Sequence, residues 1–169
     1  VAIAGVWDKD RAKAAALAGR HGVAVADDLQ TLLDGSDAVA ICSATSEHVG
    51  FVREASRRGL SILCEKPLGA TGGDCLEIAR IVEKSGVAFM QSFPKRFDPV
   101  NREIKALLAD RALGTVTLCR VRHGHGHGFE EDFRGSWFVD PALSGGGTLL
   151  AEGVHAADLP RWIFGEPKT

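Results

Sequence analysis

Apolar positions fall into short continuous runs separated by longer, helix-like stretches. Val1–Trp7 is nearly all apolar, the pattern of a strand covered on both faces. Asp8 ends it, and the Ala-rich stretch from Lys9 to His21 favours helix. Val23–Val25 predicts a short strand, and Asp27 or Asp28 can cap a short helix ending near Leu33. Ala38–Cys42 is the next buried strand. A loop over Ser43–Ser46 and a helix from about Glu47 to Arg58 follow, and Gly59 ends that helix as a C′ glycine. After the strand Ser61–Cys64, a helix over Thr71–Ser85 sets Cys75, Ile78, Ala79 and Val82 on one face. Val87–Gln91 is a further strand. This β-α alternation predicts an α/β fold with a parallel, doubly wound sheet.

The pattern changes after Phe93. Pro94 and Pro99 punctuate a loop, and the next helix carries Val100, Ile104, Leu107 and Leu108 on one face. In Thr115–Arg122, Val116 and Leu118 alternate with polar neighbours, which predicts a strand of an antiparallel sheet with one open face. A domain boundary is expected near residues 93–96, dividing the chain into residues 1–94 and 95–169. No internal repeat is evident.

Bulk properties narrow the function. The 169 residues suffice for one ordinary domain or two small or incomplete ones. A net charge of -2 with scattered Lys and Arg argues against nucleic acid or an anionic membrane as partner. No apolar run is long enough to span a membrane. Cys42, Cys64, Cys75 and Cys119 lack CxxC spacing. Two of them end apolar strands and read as buried free thiols of a reducing compartment, which points to the cytoplasm. The sequence opens inside a strand without a starting Met, so a missing signal peptide proves little.

Candidate chemistry gathers around two motifs. Glu65-Lys66-Pro67 ends a buried strand, where open α/β sheets hold their ligands. Desolvation there can lower an ammonium pKa enough for proton exchange near neutrality. Gly145-Gly146-Gly147 precedes a helix with Glu152, His155, Leu159 and Trp162 on one face, a half-polar face of the kind that marks a site. His123-Gly124-His125-Gly126-His127 invites a metal reading, since alternate residues of an extended strand share a face. Its glycines favour a mobile, substrate-contacting loop instead, and no metal is expected.

Glu65-Lys66-Pro67, Arg96-Phe97-Asp98-Pro99 and Gly145-Gly146-Gly147…Gly153-x-His155-x-x-Asp158, with Thr45-x-x-His48, together resemble the glucose–fructose oxidoreductase/inositol dehydrogenase (Gfo/Idh/MocA) family. The resemblance covers essentially the whole chain. It implies an incomplete NAD(P)-binding Rossmann domain followed by part of an α/β domain with an open, mainly antiparallel sheet. It implies oxidation of a hydroxyl on a sugar, cyclitol or related polyol, with NAD as cofactor, NADP as the alternative, and a homo-oligomer at full length. It places the cofactor along Asp8, the loop residues Ser43, Ala44, Thr45 and His48, and Glu65 with Lys66. Lys66 and His155 are then the catalytic pair, and Lys95 and His155 contact substrate. The carbinol carbon would give its hydride to the nicotinamide while Lys66, with His155, removes the hydroxyl proton. An NAD-dependent glycoside hydrolase of the same family and a non-catalytic binding fragment are the alternatives.

Plainer readings stand beside these. Asp8 can also cap the next helix, Thr45 or Ser46 can cap theirs, and His48 can lie on the surface. Lys66 and Lys95 can be surface lysines, Glu65 the partner of a cation, and His155 a satisfied packing histidine. Asp158 reads as structural. Three departures from the family matter. The phosphate-binding glycine loop is expected ahead of Val1, and most of the second sheet after Thr169. Many members carry Asp where this chain has Ala151. Glu152 is its neighbour, but a helix turns ~100° per residue, so Glu152 is expected to face elsewhere. Without that Asp, His155 is expected to be mostly neutral at pH 7.

Overall fold

Side-chain caps set several of the helix starts. The computed structural model describes residues 1–124 and 126–168. Helix α1 (Arg11–His21) starts at Asp10, whose carboxylate accepts from Ala12 N and Lys13 N, and stops at Gly22 with φ 64°. Asp8 is therefore not the cap; it accepts from Asp10 N at 2.8 Å. Asp28 caps α2 (Leu29–Asp34) through Thr31 N. Strand β1 (Ala38–Ile41) leads through a 3-10 turn, Thr45–Glu47, into α3 (His48–Arg57). Strand β2 (Ser61–Cys64) precedes α4 (Gly72–Ser85), whose start is a reciprocal capping box between Thr71 and Asp74. Strand β3 (Phe89–Gln91) follows.

The three strands form a parallel sheet in the order β1-β2-β3, with Ile41 level with Cys64 and Cys64 level with Gln91. Their carboxyl ends therefore share one edge, from which Cys42, Glu65 and Ser92 depart. Leu33, Ile41, Val52, Ala55, Leu60, Ile62, Cys64 and Ile78 form the buried cluster against the sheet. Each fully buried aliphatic side chain there contributes roughly 1.5–3 kcal/mol.

The parallel α/β layer agrees with the pattern, but three expected strands differ. Val1–Trp7 and Val23–Val25 meet in a single parallel bridge, Val6 with Val25. The bridge is held by Val6 N to Ala24 O and Ala26 N to Val6 O, each 2.9 Å. Ile3, outside it, is exposed. Strand β1 is an edge, so Cys42 at its end is exposed rather than buried, whereas Cys64 in the central strand is buried. Thr115–Arg122 forms no strand among the described residues. Alternation supplies a face, but only a neighbouring chain segment supplies the ladder. The sheet described is parallel throughout, and the expected antiparallel one is not present in it.

The described residues after 93 are helical or irregular. Helix α5 (Pro99–Ala109) is capped by Asp98. Single turns α6 (Glu131–Arg134), α7 (Pro141–Ser144) and α8 (Thr148–Ala151) lead to α9 (Gly153–Phe164). Among the described residues no helix is long and apolar enough to cross a membrane.

Candidate active site

Lys66 leaves the carboxyl end of β2, and the Lys66–Pro67 peptide is cis. Its Nζ donates to the Ala151 carbonyl at 2.8 Å and pairs with Glu152 Oε1 at 3.4 Å. The side chain is only 15% exposed, which rules out the surface-lysine reading. Glu65 beside it accepts from Ser92 Oγ at 2.8 Å and from Lys66 N at 3.1 Å, so its fixed partners are a serine and a backbone amide rather than a cation.

The loop after β1 lies along the same edge. His48 is buried, not on the surface, with its ring nitrogens each 3.2 Å from the carbonyls of Leu68 and Ser43. It thereby ties the Ser43–Ala44 loop to the turn that follows Lys66-Pro67. Thr45 is buried as well; it makes no capping bond, and its Oγ1 has no partner among the described residues. Ser46 makes no capping bond either. Asp8 stands at the end of the first apolar run, with Lys9 paired to Glu47 and Arg11 to Asp27.

Helix α9 brings His155 to the site. The residue is 7% exposed, and its Nδ1 is buried without a hydrogen-bond partner among the described residues. Phe93 lies edge-on at 6.5 Å and the His123 ring at 5.4 Å. Burial pushes the imidazole pKa down, and the Lys66 charge pushes it further, while Glu152 opposes them. Lowered from about 6.5, the ring is neutral at pH 7. Beside it opens a cavity of about 370 Å³ lined by Lys95, Asn101, Arg122, His123 and His155 among others. Lys95 is half-buried there rather than fully solvated.

Glu152 does not turn away. The helix is interrupted at this residue, which ends α8 and begins α9 and makes no side-chain cap bond in either role. The ~100° rotation expected of a continuous helix does not apply across the break, and the carboxylate reaches both Lys66 and His123 Nε2, the latter at 2.9 Å.

One contact ties helix α9 to the turn after Phe93, and another holds the second half of the chain against the first. Arg96 grips the buried Asp158 with two N–H groups, Nε at 2.9 Å, and stacks 5.1 Å from the Phe93 ring centroid. Gly145, at φ 78°, presses on the Ala70 loop so closely that a Cβ would lie 2.4 Å from Ala70 Cα. Of the histidine tract, His123 joins the site and His125 lies outside the described residues. No group of three or more metal-ligating side chains occurs among the described residues.

The structure thus joins Lys66, Glu65 and His155 with Lys95 close by. The Ser43–His48 loop stands on the same sheet edge, and Asp8 sits at the end of the first apolar run. Ser92 and Arg96 had no assigned role from sequence. The signals were there: Ser92 directly follows a strand level with Glu65, and Arg96 and Asp158 are opposite charges within the two quoted motifs.

Residues 1–93 match the oxidoreductase family with an NAD-binding Rossmann fold, Gfo/Idh/MocA. The chain belongs to this family. Residues 101–169 match a Gfo/Idh/MocA C-terminal domain. Inositol 2-dehydrogenase 2 of Saccharopolyspora erythraea is 32% identical over 97% of this chain and 46% of its own length. D-xylose 1-dehydrogenase (NADP(+)) 2 of Haloferax volcanii is 31% identical over 97% of this chain and 50% of its own. The crystal structure of GenD2 from gentamicin A biosynthesis in complex with NAD superposes with a TM-score of 0.79 at 26% identity, over 99% of this chain and 47% of that one. The chain spans about half the length of the curated relatives it matches.

Proposed function

We propose that the full-length protein is an NAD(P)-dependent oxidoreductase acting on a hydroxyl of a sugar, cyclitol or related polyol. The observation that carries this is the Lys66 amine. It leaves the carboxyl end of a parallel strand, is mostly buried, and meets the α8–α9 junction beside a neutral His155 and a cavity that Lys95, Asn101 and His123 line.

The residues suit the nicotinamide end of a dinucleotide. The three strand ends present Ser43–Thr45, Glu65–Lys66 and Ser92 along one edge. Thr45 Oγ1 is a buried polar atom there without a protein partner among the described residues. Bound, the nicotinamide supplies a hydride acceptor for the carbinol carbon. Lys66 takes or returns the hydroxyl proton, and neutral His155 hydrogen-bonds the same hydroxyl. Glu65, fixed by Ser92, would line the nicotinamide site, and Lys95 would contact substrate from the cavity wall.

Asp8 supports NAD over NADP. A carboxylate at the end of that first apolar run would accept from ribose hydroxyls and repel a 2′-phosphate. The two nearby cations, Lys9 and Arg11, are occupied by Glu47 and Asp27. The test is a panel of inositols, aldoses and aldonic acids with NAD and with NADP, read by absorbance of the reduced nicotinamide in the full-length protein. Reduction that requires a polyol and prefers NAD is the expected result. No reduction across the panel with either cofactor would sink the assignment.

A further inference from the structure

The α8–α9 break is more than an irregular helix. The last carbonyls of a helix have no intrahelical donor, and Ala151 O is one of these, at the end of α8. Glu152 follows at φ -113°, ψ -35°, and its side chain is not spent on capping. Two consecutive residues therefore present a carbonyl and a carboxylate to one amine, Lys66 Nζ. The carboxylate has two oxygens: Oε1 faces Lys66, and Oε2 bonds to His123 Nε2. His123 in turn lies against the His155 ring and lines the same cavity.

We propose that Glu152 is the positioning carboxylate of Lys66, held in register by His123, so that the amine sits at a fixed point between the strand edge and the cavity. This rests on the oxidoreductase reading for its consequence in turnover, but not for its geometry. A long, flexible lysine stem has much rotamer freedom. Two acceptors from adjacent backbone positions remove most of that freedom, and the His123 contact removes it from Glu152. The break is the cause: in an unbroken helix the Ala151 carbonyl would be bonded internally and residue 152 would point away from residue 66. Glu152 also opposes Lys66 electrostatically at His155. The charged and titratable groups facing that ring are Lys66, Glu152, His123 and Lys95.

The test uses Glu152→Gln in the full-length protein, with folding checked by circular dichroism. Lys66 reactivity is read by mass spectrometry after brief treatment with acetic anhydride. Loss of the carboxylate should raise the acetylation rate at Lys66 several-fold at fixed pH. It should also move the His155 imidazole titration, followed by NMR, to lower pH. His123→Gln, which leaves Glu152 in place but loosens it, should give a smaller rise in Lys66 labelling. It decides the matter if the Glu152 variant fails to fold. Unchanged Lys66 labelling in the folded variants overturns the proposal, because a merely structural Glu152 would not alter the amine. Where turnover is measurable, Glu152→Gln should lower kcat by up to about 100-fold, the scale of misplacing a reacting group by about 1 Å, and leave KM for the dinucleotide unchanged. Labelling and titration need no turnover. A protein inactive on every polyol would therefore refute the oxidoreductase reading while these two measurements still judged Glu152.

Discussion

Residues before and after Phe93 carry equally clear apolar patterns and come to very different ends. In the first part, Ile62, Val52 and Ile78 are 3%, 0% and 1% exposed. In the second, Leu118 and Leu149 are 77% and 87% exposed, and Ile104 and Leu107 are only half covered. The first part is built of β-α-β units, in which each strand's neighbour lies close along the chain. Thr115–Arg122 has no such neighbour among the described residues. Patterning alone does not bury a face; an adjacent partner does. The site uses both parts, with a rigid strand end from one and a helix break from the other.

The comparison can be broken most severely at Lys66, where the parts meet. Lys66→Ala should cost about 10²–10⁴ in kcat while changing dinucleotide affinity little, since the amine acts on the proton. Wild-type turnover would remove Lys66 from the chemistry. Next, Ile62→Ala should destabilise the first part by about 2–5 kcal/mol in a denaturant titration. Leu118→Ser in the same chain should cost less than about 0.5 kcal/mol. Similar losses for the two would mean that the exposed face is covered after all.

The clamp that ties helix α9 to the turn after Phe93 comes third. Asp158→Ala should cost about 1–3 kcal/mol, less than breaking a fully buried pair because Arg96 is 39% exposed. It should also loosen α9, so amide exchange would quicken around His155. Exchange unchanged there would show that Arg96–Asp158 does not hold the helix.

The smallest effect is pH dependence. The folded His155 pKa lies below the ordinary value, so the folded state binds this proton less readily than the unfolded chain. Its contribution to stability is complete above about pH 6.5 and is lost as pH falls toward and through the folded pKa. His155→Gln should flatten that part of the stability profile by a fraction of ~1.4 kcal/mol per pH unit. An identical profile in the variant would assign the slope to other groups.

The sequence by itself determined the β-α order, most helix boundaries, the parallel sheet and the residues around which the site forms. Those depend on local signals: caps at Asp28 and Thr71, stop glycines at Gly22 and Gly86, and apolar runs bounded by them. It did not determine that Thr115–Arg122 lacks a strand partner among the described residues or that Cys42 is exposed, because strand pairing and edge position depend on distant segments. Nor did it reveal Glu152 as a partner of Lys66. Residue 152 is 86 positions from residue 66. Its direction depends on a helix break that no proline or cap in the sequence marks, so only the packing of α8 and α9 against the Lys66 turn decided where that carboxylate points.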